Sequence, residues 1–333
     1  MTVKRLTYTA ARTATLEQCT VQQPGRGQVL VQTLYSGISR GTESLVFNGL
    51  VPVCEHHRMR CPHQQGSFTY PVSYGYAAVG EIVATGPESG GYSPGDRVFC
   101  LHPHQDLFVA DTGFCHPIPD GLALHRAVLA ANAETALNAV WDSELPDSGN
   151  TCVIGAGVVG LLTAFIIARM TGTRPIVIDI NPLKQKVTGH LGLEFMTTAD
   201  AAEGNLPPPD RVFNTSASQE GLQLALDLAA FEATIVEMSW YGERSVDLKL
   251  GGNFHSGRLR IISSQVGHVS ATRRNRVSHQ QRMQQALAYL KDTRLDALLE
   301  PAIDFEDLPT HLPGIFADRA DVLCQLVRYR NTT

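Results

Sequence analysis

The chain has 333 residues, 43% of them apolar, and this length and composition predict two globular domains with ample cores. A formal net charge of −5, without a dense stripe of lysine or arginine, argues against nucleic acid as a partner, because phosphate binding needs clustered cations. No apolar stretch approaches the roughly 20 residues that span a bilayer, and the opening MTVKRLTYTA has no apolar signal core, so we expect a cytoplasmic protein without a membrane partner.

The first third of the sequence has the pattern of a β-rich module. Short apolar runs broken by glycine and proline predict strands in QVLVQTLYSG, YAAVGEIVATG, GDRVFCL and DLFVADTG. Prolines punctuate HPIPDGL at residues 116–122, and apolar residues then follow helical spacing over residues 123–141. We therefore place a domain boundary near residue 121.

From Asn150 onward, strands and helices alternate, which predicts a parallel sheet with right-handed crossovers. The predicted strands are TCVI, PIVIDI, RVFN, ATIVEM and RLRIIS, and the predicted helices are VVGLLTAFIIARM, PLKQKVTGHL and QEGLQLALDLAAF. After Ser264 the chain becomes polar, with a helix predicted near residues 280–290 and a last strand in VLCQLVRYR. This tail is too short for a third domain, so we expect it to pack on the first module.

A glycine-rich turn between TCVI and the helix that follows is the strongest signal in the sequence. The strand runs into Gly155, Gly157 and Gly160 and then directly into the apolar helix. Gly155 permits the tight turn, Gly157 leaves room for a pyrophosphate, and Gly160 lets the helix approach the strand. The amides of Val158 and Val159 at the helix start then face the phosphates. The pattern predicts a dinucleotide site; the alternative is that the glycines serve only strand–helix packing.

The next strand, PIVIDI, contains Asp179 near its end, where the fingerprint places an acid that accepts hydrogen bonds from the adenosine ribose hydroxyls. A carboxylate there repels a 2′-phosphate, so we predict NAD(H) rather than NADP(H) as the cofactor. Lys184 and Lys186 follow closely in the sequence and keep NADP(H) open as the alternative, since an ammonium group attracts a phosphate.

Taken together, these segments resemble the medium-chain dehydrogenase/reductase superfamily, which includes zinc alcohol dehydrogenases and threonine dehydrogenase. The resemblance rests on SGISRGTE, YGYAAVGEIVATG, YSPGDRVF and HPIPDGL, then on the glycine fingerprint and RLRIISSQVG. It implies an α/β protein in which residues 1–121 and 265–333 form a GroES-like β-rich catalytic domain. Residues 122–264 would form a Rossmann domain with a doubly wound parallel sheet. It also implies a cofactor cleft between the domains and a dimer or tetramer, of which we expect a homodimer.

Within the superfamily, SGISRGTES most resembles the branch of the bacteriochlorophyllide hydroxyethyl dehydrogenases. That likeness suggests a hydroxyethyl or ketone centre on a bulky ring as the substrate.

The residues at the superfamily's zinc positions depart from its pattern. Zinc-using relatives have a cysteine where this chain has Ser39, a His-Glu pair where it has Tyr76 and Ala77, and a third ligand near Ala131. Catalytic zinc needs three protein ligands and an open position, so we predict no metal here. The segment that corresponds to the relatives' structural zinc lobe contains Cys54, His56, His57, Cys61 and His63. We interpret it as a loop over the substrate pocket, and the scattered cysteines of the chain as reduced thiols.

Without zinc, another group must stabilise and protonate the substrate oxygen when a hydride moves between an alcohol and a nicotinamide. Tyr76 stands at a former ligand position, and its phenol is the candidate proton donor; the alternative is an aromatic that fills the core. Ser39 and Thr42 are candidates for a proton relay, although Ser39 suits a tight turn equally well. Glu43 matches an acid that stands behind the zinc ligands in relatives, and we expect it to bind backbone or Arg40.

The resemblance also implies contacts to the cofactor. Arg40 follows the lost cysteine position, where relatives carry a cation that touches the pyrophosphate, and arginine suits such a contact. Thr135 matches a residue that packs on the nicotinamide. Ser264 and Gln265 lie where relatives make backbone contacts to the carboxamide.

Three further residues are candidates for the substrate pocket. Trp240 and Tyr241 follow the strand ATIVEM, at the edge where open α/β sheets bind ligands, and core packing is their alternative role. Glu134 is either a base in the cleft or a surface or capping carboxylate. We expect His102 and His104 at the surface, with a proton-donor role as the alternative.

The sequence therefore predicts a zinc-independent, NAD-dependent enzyme that interconverts a secondary alcohol and a ketone on a small-molecule metabolite. One alternative is a double-bond reductase of the quinone or enoyl type, which lacks zinc but usually prefers NADPH. The other is a non-catalytic protein that binds a nicotinamide cofactor, because a fold does not by itself imply a function.

Overall fold

The protein is described from a computed structural model that covers residues 1–145, 149–317 and 320–330. It forms two compact units: Met1–Ala131 with Leu299–Thr333, and Asn132–Leu298. The domain ranges predicted from the sequence, 1–121 with 265–333 and 122–264, remain a prediction. The two units differ from those ranges, since they assign residues 122–131 to the first unit and residues 265–298 to the second.

The elements follow one another along the chain in three groups. The first is β1 (Thr2–Ala10), β2 (Thr13–Thr20), β3 (Gln28–Ile38), α1 (Arg40–Asn48), β4 (Gln65–Gly66), β5 (Val72–Ser73), β6 (Ala78–Thr85), β7 (Arg97–Cys100), β8 (Leu107–Asp111), β9 (Cys115–Pro117) and α2 (Leu124–Ala127). The second is α3 (Ala130–Asp142), β10 (Thr151–Ile154), α4 (Val158–Thr171), β11 (Ile176–Asp179), α5 (Lys184–His190), β12 (Glu194–Thr197), α6 (Thr198–Ala202), β13 (Arg211–Asn214), α7 (Gln219–Leu228), β14 (Thr234–Glu237), α8 (Asn253–Ser256), β15 (Arg260–Ser263) and α9 (His279–Tyr289). The third is β16 (Leu299–Asp304), α10 (Leu308–Ile315) and β17 (Cys324–Arg328).

The first unit is built on two sheets, as the β-rich pattern predicts. The larger runs in the order β16-β17-β3-β6-β7-β9, with β8 also paired to β3, and the smaller in the order β2-β1-β5-β4. The long strand β3 is central because it pairs with β6, β8 and β17, and its residues Val29, Leu30 and Val31 are buried. β17 pairs antiparallel with β3, so the end of the chain returns to the first module. The segment 265–298 belongs instead to the second unit.

The second unit contains a parallel sheet in the order β12-β11-β10-β13-β14-β15. Strands β10, β11, β13, β14 and β15 lie at the segments predicted from the sequence. The chain builds outward from β10 to β12 and then returns to β13 on the other side of β10. This reversal of strand order is the switch point at which open α/β sheets bind ligands, at the carboxyl ends of the strands.

The helix predicted over residues 123–141 is divided in two. α2 ends at Ala127 and α3 begins at Ala130. Between them the backbone N–H of Leu129 donates to the Arg126 carbonyl, three residues back, so the α-helical hydrogen-bond pattern is interrupted. α3 is therefore an independent helix, and its polar residues Glu134, Asn138 and Asp142 recur every four positions.

Three histidines of the first unit are buried, contrary to the surface position expected for two of them, His102 and His104. Each of these two rings is at most 5% exposed, as is His116 on β9. His102 stacks on Phe108 with ring centroids 3.7 Å apart, and burial lowers its pKa to about 3. Burial likewise lowers the pKa of His116 to about 4. Both rings are therefore uncharged members of the core at neutral pH.

Candidate active site

The glycine-rich turn joins β10 to α4 as the fingerprint requires. Gly155 has a φ of +103°, and a Cβ there would lie 2.7 Å from Thr215 Oγ1. A Cβ on Gly160 would overlap the carbonyl oxygen of Gly155. Both positions need glycine for the turn and for the packing of the helix on the strand.

Gly157 differs from the other two glycines. It caps the N-terminus of α4 with a φ of −76°, which any residue adopts, and a Cβ there would meet no atom within 4 Å. Packing therefore does not require glycine at this position. The open space lies beside the start of a 14-residue helix, whose first amides and dipole suit an anion. A pyrophosphate fits this cradle.

Asp179 ends β11, next to the glycine-rich turn. Its carboxylate accepts hydrogen bonds from the backbone N–H groups of Ala156, at 2.6 Å, and Asn181, at 2.8 Å. These bonds fix the acid beside the turn, where the ribose hydroxyls of a dinucleotide would lie. Ile180 and Leu183 next to it are 82% and 73% exposed, and they offer an apolar surface to an adenine ring.

The other predicted residues of this unit have defined partners. Ser264 donates to Asp142 Oδ2 at 2.7 Å, and the Gln265 side chain accepts from the Gly267 N–H at 2.7 Å. Tyr241 donates to Glu237 Oε2 at 3.1 Å; burial and the neighbouring Glu237 raise the pKa of its phenol. Trp240 is half-buried beside Tyr241, and Thr135 is half-buried on α3. The cofactor and substrate roles of these residues remain predictions.

Glu134 is neither a surface nor a capping carboxylate. It is 6% exposed and accepts from Arg282 Nε at 3.0 Å. Burial raises its pKa, and the adjacent guanidinium opposes that rise. A carboxylate held in this way is the counter-charge of a buried arginine, which argues against the alternative role of a free base.

In the first unit, the structure brings the three predicted catalytic residues together. Tyr76 donates from its phenol to Ser39 Oγ at 2.6 Å. Burial and the charge of Glu43 raise the pKa of Tyr76, while hydrogen bonds to Ser39 and Thr42 lower it in part. Ser39 caps α1, and Thr42 lies on its first turn. The phenol is half-buried and stays protonated at neutral pH.

Behind these hydroxyls lies a buried polar network that the sequence did not reveal in full. Glu43, which is fully buried, accepts from the Ser39 N–H at 2.7 Å, as expected of a backbone partner. Its other oxygen lies 3.0 Å from His104 Nε2, and His104 Nδ1 lies 2.8 Å from Ser36 Oγ. Ser36 also contacts the Tyr329 hydroxyl at 3.0 Å. The network ties α1 to three strands or loops of the first unit.

The side chain of Arg40 donates hydrogen bonds to carbonyl oxygens of the C-terminal segment. Its Nε donates to Ile315 at 3.1 Å and its Nη2 to Ala317 at 2.7 Å. These bonds hold the guanidinium against the end of α10. Its predicted contact with a pyrophosphate remains a prediction.

Residues at the former zinc positions offer hydroxyl and methyl groups rather than metal ligands. Across residues 1–145, 149–317 and 320–330, no group of three or more His, Cys, Asp or Glu side chains is arranged to hold a metal ion. In the lobe, Cys54 is exposed and Cys61 is buried, and burial raises the pKa of the Cys61 thiol to about 12.

No family model matches the sequence. Among curated proteins, the chain is 32% identical over 191 residues to the 2-desacetyl-2-hydroxyethyl bacteriochlorophyllide A dehydrogenase of Rhodobacter capsulatus. That match covers 52% of this chain and 54% of the relative, so the chain spans about half the length of this protein. The resemblance that the sequence motifs predicted is confirmed at this level.

Solved dehydrogenases match nearly the whole chain. The 2R,3R-butanediol dehydrogenase of Bacillus subtilis has a TM-score of 0.79 at 19% identity, over 99% of this chain and 100% of that chain. An alcohol dehydrogenase of Escherichia coli complexed with NADH has a TM-score of 0.76 at 17% identity, over 98% and 99%. A chain named as a zinc-binding dehydrogenase from Sinorhizobium meliloti, bound to NADP, has a TM-score of 0.79 at 17% identity, over 98% and 99%. At these identities the likeness shows the fold.

Within the part of the chain that the structure describes, no helix is both long enough and apolar enough to cross a bilayer.

Proposed function

We propose that this chain, which shares its fold and sequence motifs with the medium-chain dehydrogenase/reductase superfamily, is a zinc-independent oxidoreductase that uses NAD(H). It would interconvert a secondary alcohol and a ketone on a small-molecule metabolite. The observation that carries the proposal is the open cradle at Gly157, with Asp179 fixed beside it. A strand, a glycine turn and a helix in this arrangement suit a pyrophosphate, and the acid suits a ribose.

The chain's own residues would share the work as follows. When bound, the nicotinamide supplies the hydride acceptor or donor. The α4 N-terminus and Arg40 hold phosphates, while Thr135, Ser264 and Gln265 orient the nicotinamide. Tyr76 donates its phenolic proton to the substrate oxygen during ketone reduction, and Ser39 and Thr42 relay a proton from solvent back to the phenolate. During alcohol oxidation, the same atoms carry the proton the other way.

Trp240 and Tyr241 are the proposed walls of the substrate pocket, because they follow β14 at the carboxyl edge of the sheet. The relative from Rhodobacter capsulatus is named for a hydroxyethyl group on a large ring. We therefore propose a hydroxyethyl or ketone side chain on a bulky ring as the first substrate class to test.

The function is tested with purified protein and a panel of ketones, secondary alcohols, enones and quinones, followed through the absorbance of NADH. We expect NADH to be consumed with a ketone and formed with the matching alcohol. Turnover with enones or quinones alone would favour the double-bond reductase. Binding of NADH without turnover on any panel member would favour a non-catalytic protein, and the absence of binding to either dinucleotide would overturn the proposal.

Zinc independence has its own measurement. Ser39, Tyr76 and Ala77 replace the relatives' ligands, and we expect protein purified without added metal to contain far less than one zinc per chain. A chelator should then leave ketone reduction unchanged. Stoichiometric zinc, or loss of turnover on chelation, would contradict this part of the proposal.

Asp179→Ser is expected to shift the preference from NADH toward NADPH. The change removes the charge that repels a 2′-phosphate, and Lys184 and Lys186 remain to attract it. Asn181→Ala, a neighbour without a carboxylate, is the matched control. The ratio of kcat/KM for the two cofactors should fall for Asp179→Ser by about tenfold, or about 1.4 kcal/mol. An unchanged ratio would refute the assigned role.

We further propose a homodimer in the cytoplasm. β15 lies at the edge of the parallel sheet, pairs with β14 on one side and leaves Ile261 38% exposed, so its other edge is suited to a second copy. All seven cysteines are free thiols, which fits a reducing compartment. Light scattering should give a mass about twice the 36.2 kDa of one chain; a monomer would contradict the dimer.

A further inference from the structure

Two of three polar residues on one face of α3 bind a single segment of the second unit directly. Glu134, Asn138 and Asp142 recur every four positions, which places them on the same side of the helix. Ser264 donates to Asp142 Oδ2 at 2.7 Å, and the Ser270 N–H donates to Asn138 Oδ1 at 3.1 Å. The segment 264–270, which directly follows β15, is therefore bound at both of its ends to α3.

Arg282 of α9 binds the middle of the same segment. Its Nη2 donates to the Val266 carbonyl at 2.6 Å and its Nη1 to the His268 carbonyl at 3.0 Å. The guanidinium also donates to Glu134 at 3.0 Å and to Asn138 at 2.5 Å. Arg282 is only 1% exposed. One buried side chain thus joins α9, α3 and the segment 264–270.

A buried ion pair is weak evidence for stability, because desolvation offsets much of the attraction. What the guanidinium does supply is geometry, since its planar donors fix several acceptors at once. The Arg282 contacts to two backbone carbonyls set the path of the segment rather than fill a core. This favours a positioning role.

The segment 264–270 begins at the carboxyl edge of the parallel sheet, where β15 ends. A dinucleotide at the switch point between β10 and β13 would have its adenosine on the β11 side, next to Asp179. Its other half would extend toward β14 and β15. The segment therefore lies on the nicotinamide side of the proposed site.

We propose that Arg282 is a positioning residue that, with Glu134 as its counter-charge, preforms the segment 264–270 for the nicotinamide half of the cofactor. This inference rests on the proposed function. It gives Glu134 a task in cofactor binding that does not involve proton transfer, and it makes residues far from the glycine turn determinants of cofactor affinity.

The test compares two ligands that share the adenosine half. NADH has the nicotinamide and ADP-ribose lacks it, so calorimetric Kd values for both separate the two halves of the site. Arg282→Lys keeps the charge but loses the planar fork of donors. We expect its NADH affinity to fall about tenfold, which is about 1.4 kcal/mol, with ADP-ribose affinity unchanged.

Arg294→Lys is the matched control, because Arg294 also binds a backbone carbonyl, that of Leu191, outside the segment. The affinities of Arg294→Lys for NADH and for ADP-ribose should stay at the wild-type values. Equal losses of both ligands in Arg282→Lys, or no loss of NADH affinity, would overturn the inference while the proposed function stands. Wild-type protein that binds neither ligand would instead overturn the proposed function.

Where Arg282→Lys does not fold, Glu134→Gln provides the second test. It removes the counter-charge of Arg282 but keeps an amide oxygen that can accept from Arg282 Nε, so the guanidinium is held less firmly against the segment. We expect a selective loss of NADH affinity of about threefold, the size of the difference between a charged and a neutral hydrogen bond. Equal effects on NADH and ADP-ribose would again overturn the inference.

Discussion

Tyr76→Phe is expected to lower kcat for ketone reduction by about 10²- to 10⁴-fold, the usual contribution of a positioned proton donor. The change removes only the hydroxyl that donates to Ser39 at 2.6 Å. Burial and the charge of Glu43 hold the pKa of this phenol above its ordinary value, so the phenol is protonated at neutral pH. Steady-state kinetics with saturating NADH measure the effect. KM for the ketone should change much less than kcat, because the missing proton is needed in the transition state.

Tyr92→Phe is the matched control for this experiment. Tyr92 is in the same unit, burial also raises its pKa, and its hydroxyl donates to the Cys115 carbonyl at 2.7 Å. This variant should keep wild-type kcat. Because the pKa of Tyr76 is raised, deprotonation of the phenol should not reduce the wild-type rate below about pH 10. A Tyr76→Phe enzyme with wild-type kcat would show that Tyr76 only fills the core.

Gly157→Ala is expected to reduce the affinity for NADH by at least about tenfold, or about 1.4 kcal/mol, while the protein keeps its wild-type melting temperature. The new methyl group would meet no protein atom within 4 Å, so the fold can accept it. It would occupy space that a pyrophosphate needs against the backbone. Fluorescence titration with NADH and a thermal melt measure the two quantities on the same sample.

Gly160→Ala gives the opposite pattern and serves as the comparison. Its methyl group would overlap the carbonyl oxygen of Gly155, so this variant should lose folding stability before any effect on the ligand. If Gly157→Ala bound NADH as tightly as the wild type, the glycines would serve only strand–helix packing. The dinucleotide site would then have to be abandoned.

The fold class could be predicted because its signals are local. A parallel strand covered on both faces carries a continuous apolar run, as TCVI does in β10, and such a run is visible in the sequence. β12 was missed because it is a short edge strand, Glu194–Thr197, with no fully buried residue. β16 was missed for a similar reason, since LEPAID contains a proline and charged residues.

The candidate site likewise has one part that could be predicted from the sequence and one part that could not. The glycine turn and Asp179 belong to one strand–helix–strand unit, so their spacing could be recognised. The pair of Glu43 and His104 joins residues 61 positions apart, and that of Glu134 and Arg282 joins residues 148 positions apart. No periodicity in the sequence links such partners. Only the three-dimensional structure shows that Glu134 is paired with Arg282 and that His104 is buried.

The histidines in the core of the first unit have a consequence for acid tolerance. An unfolded histidine takes up a proton below about pH 6.5. His102 and His116 resist protonation until about pH 3 and 4, respectively. Between those limits the unfolded chain binds protons that the native protein does not bind. The free energy of unfolding therefore falls by up to about 1.4 kcal/mol per pH unit for each ring. Mild acidification therefore weakens the β-rich unit.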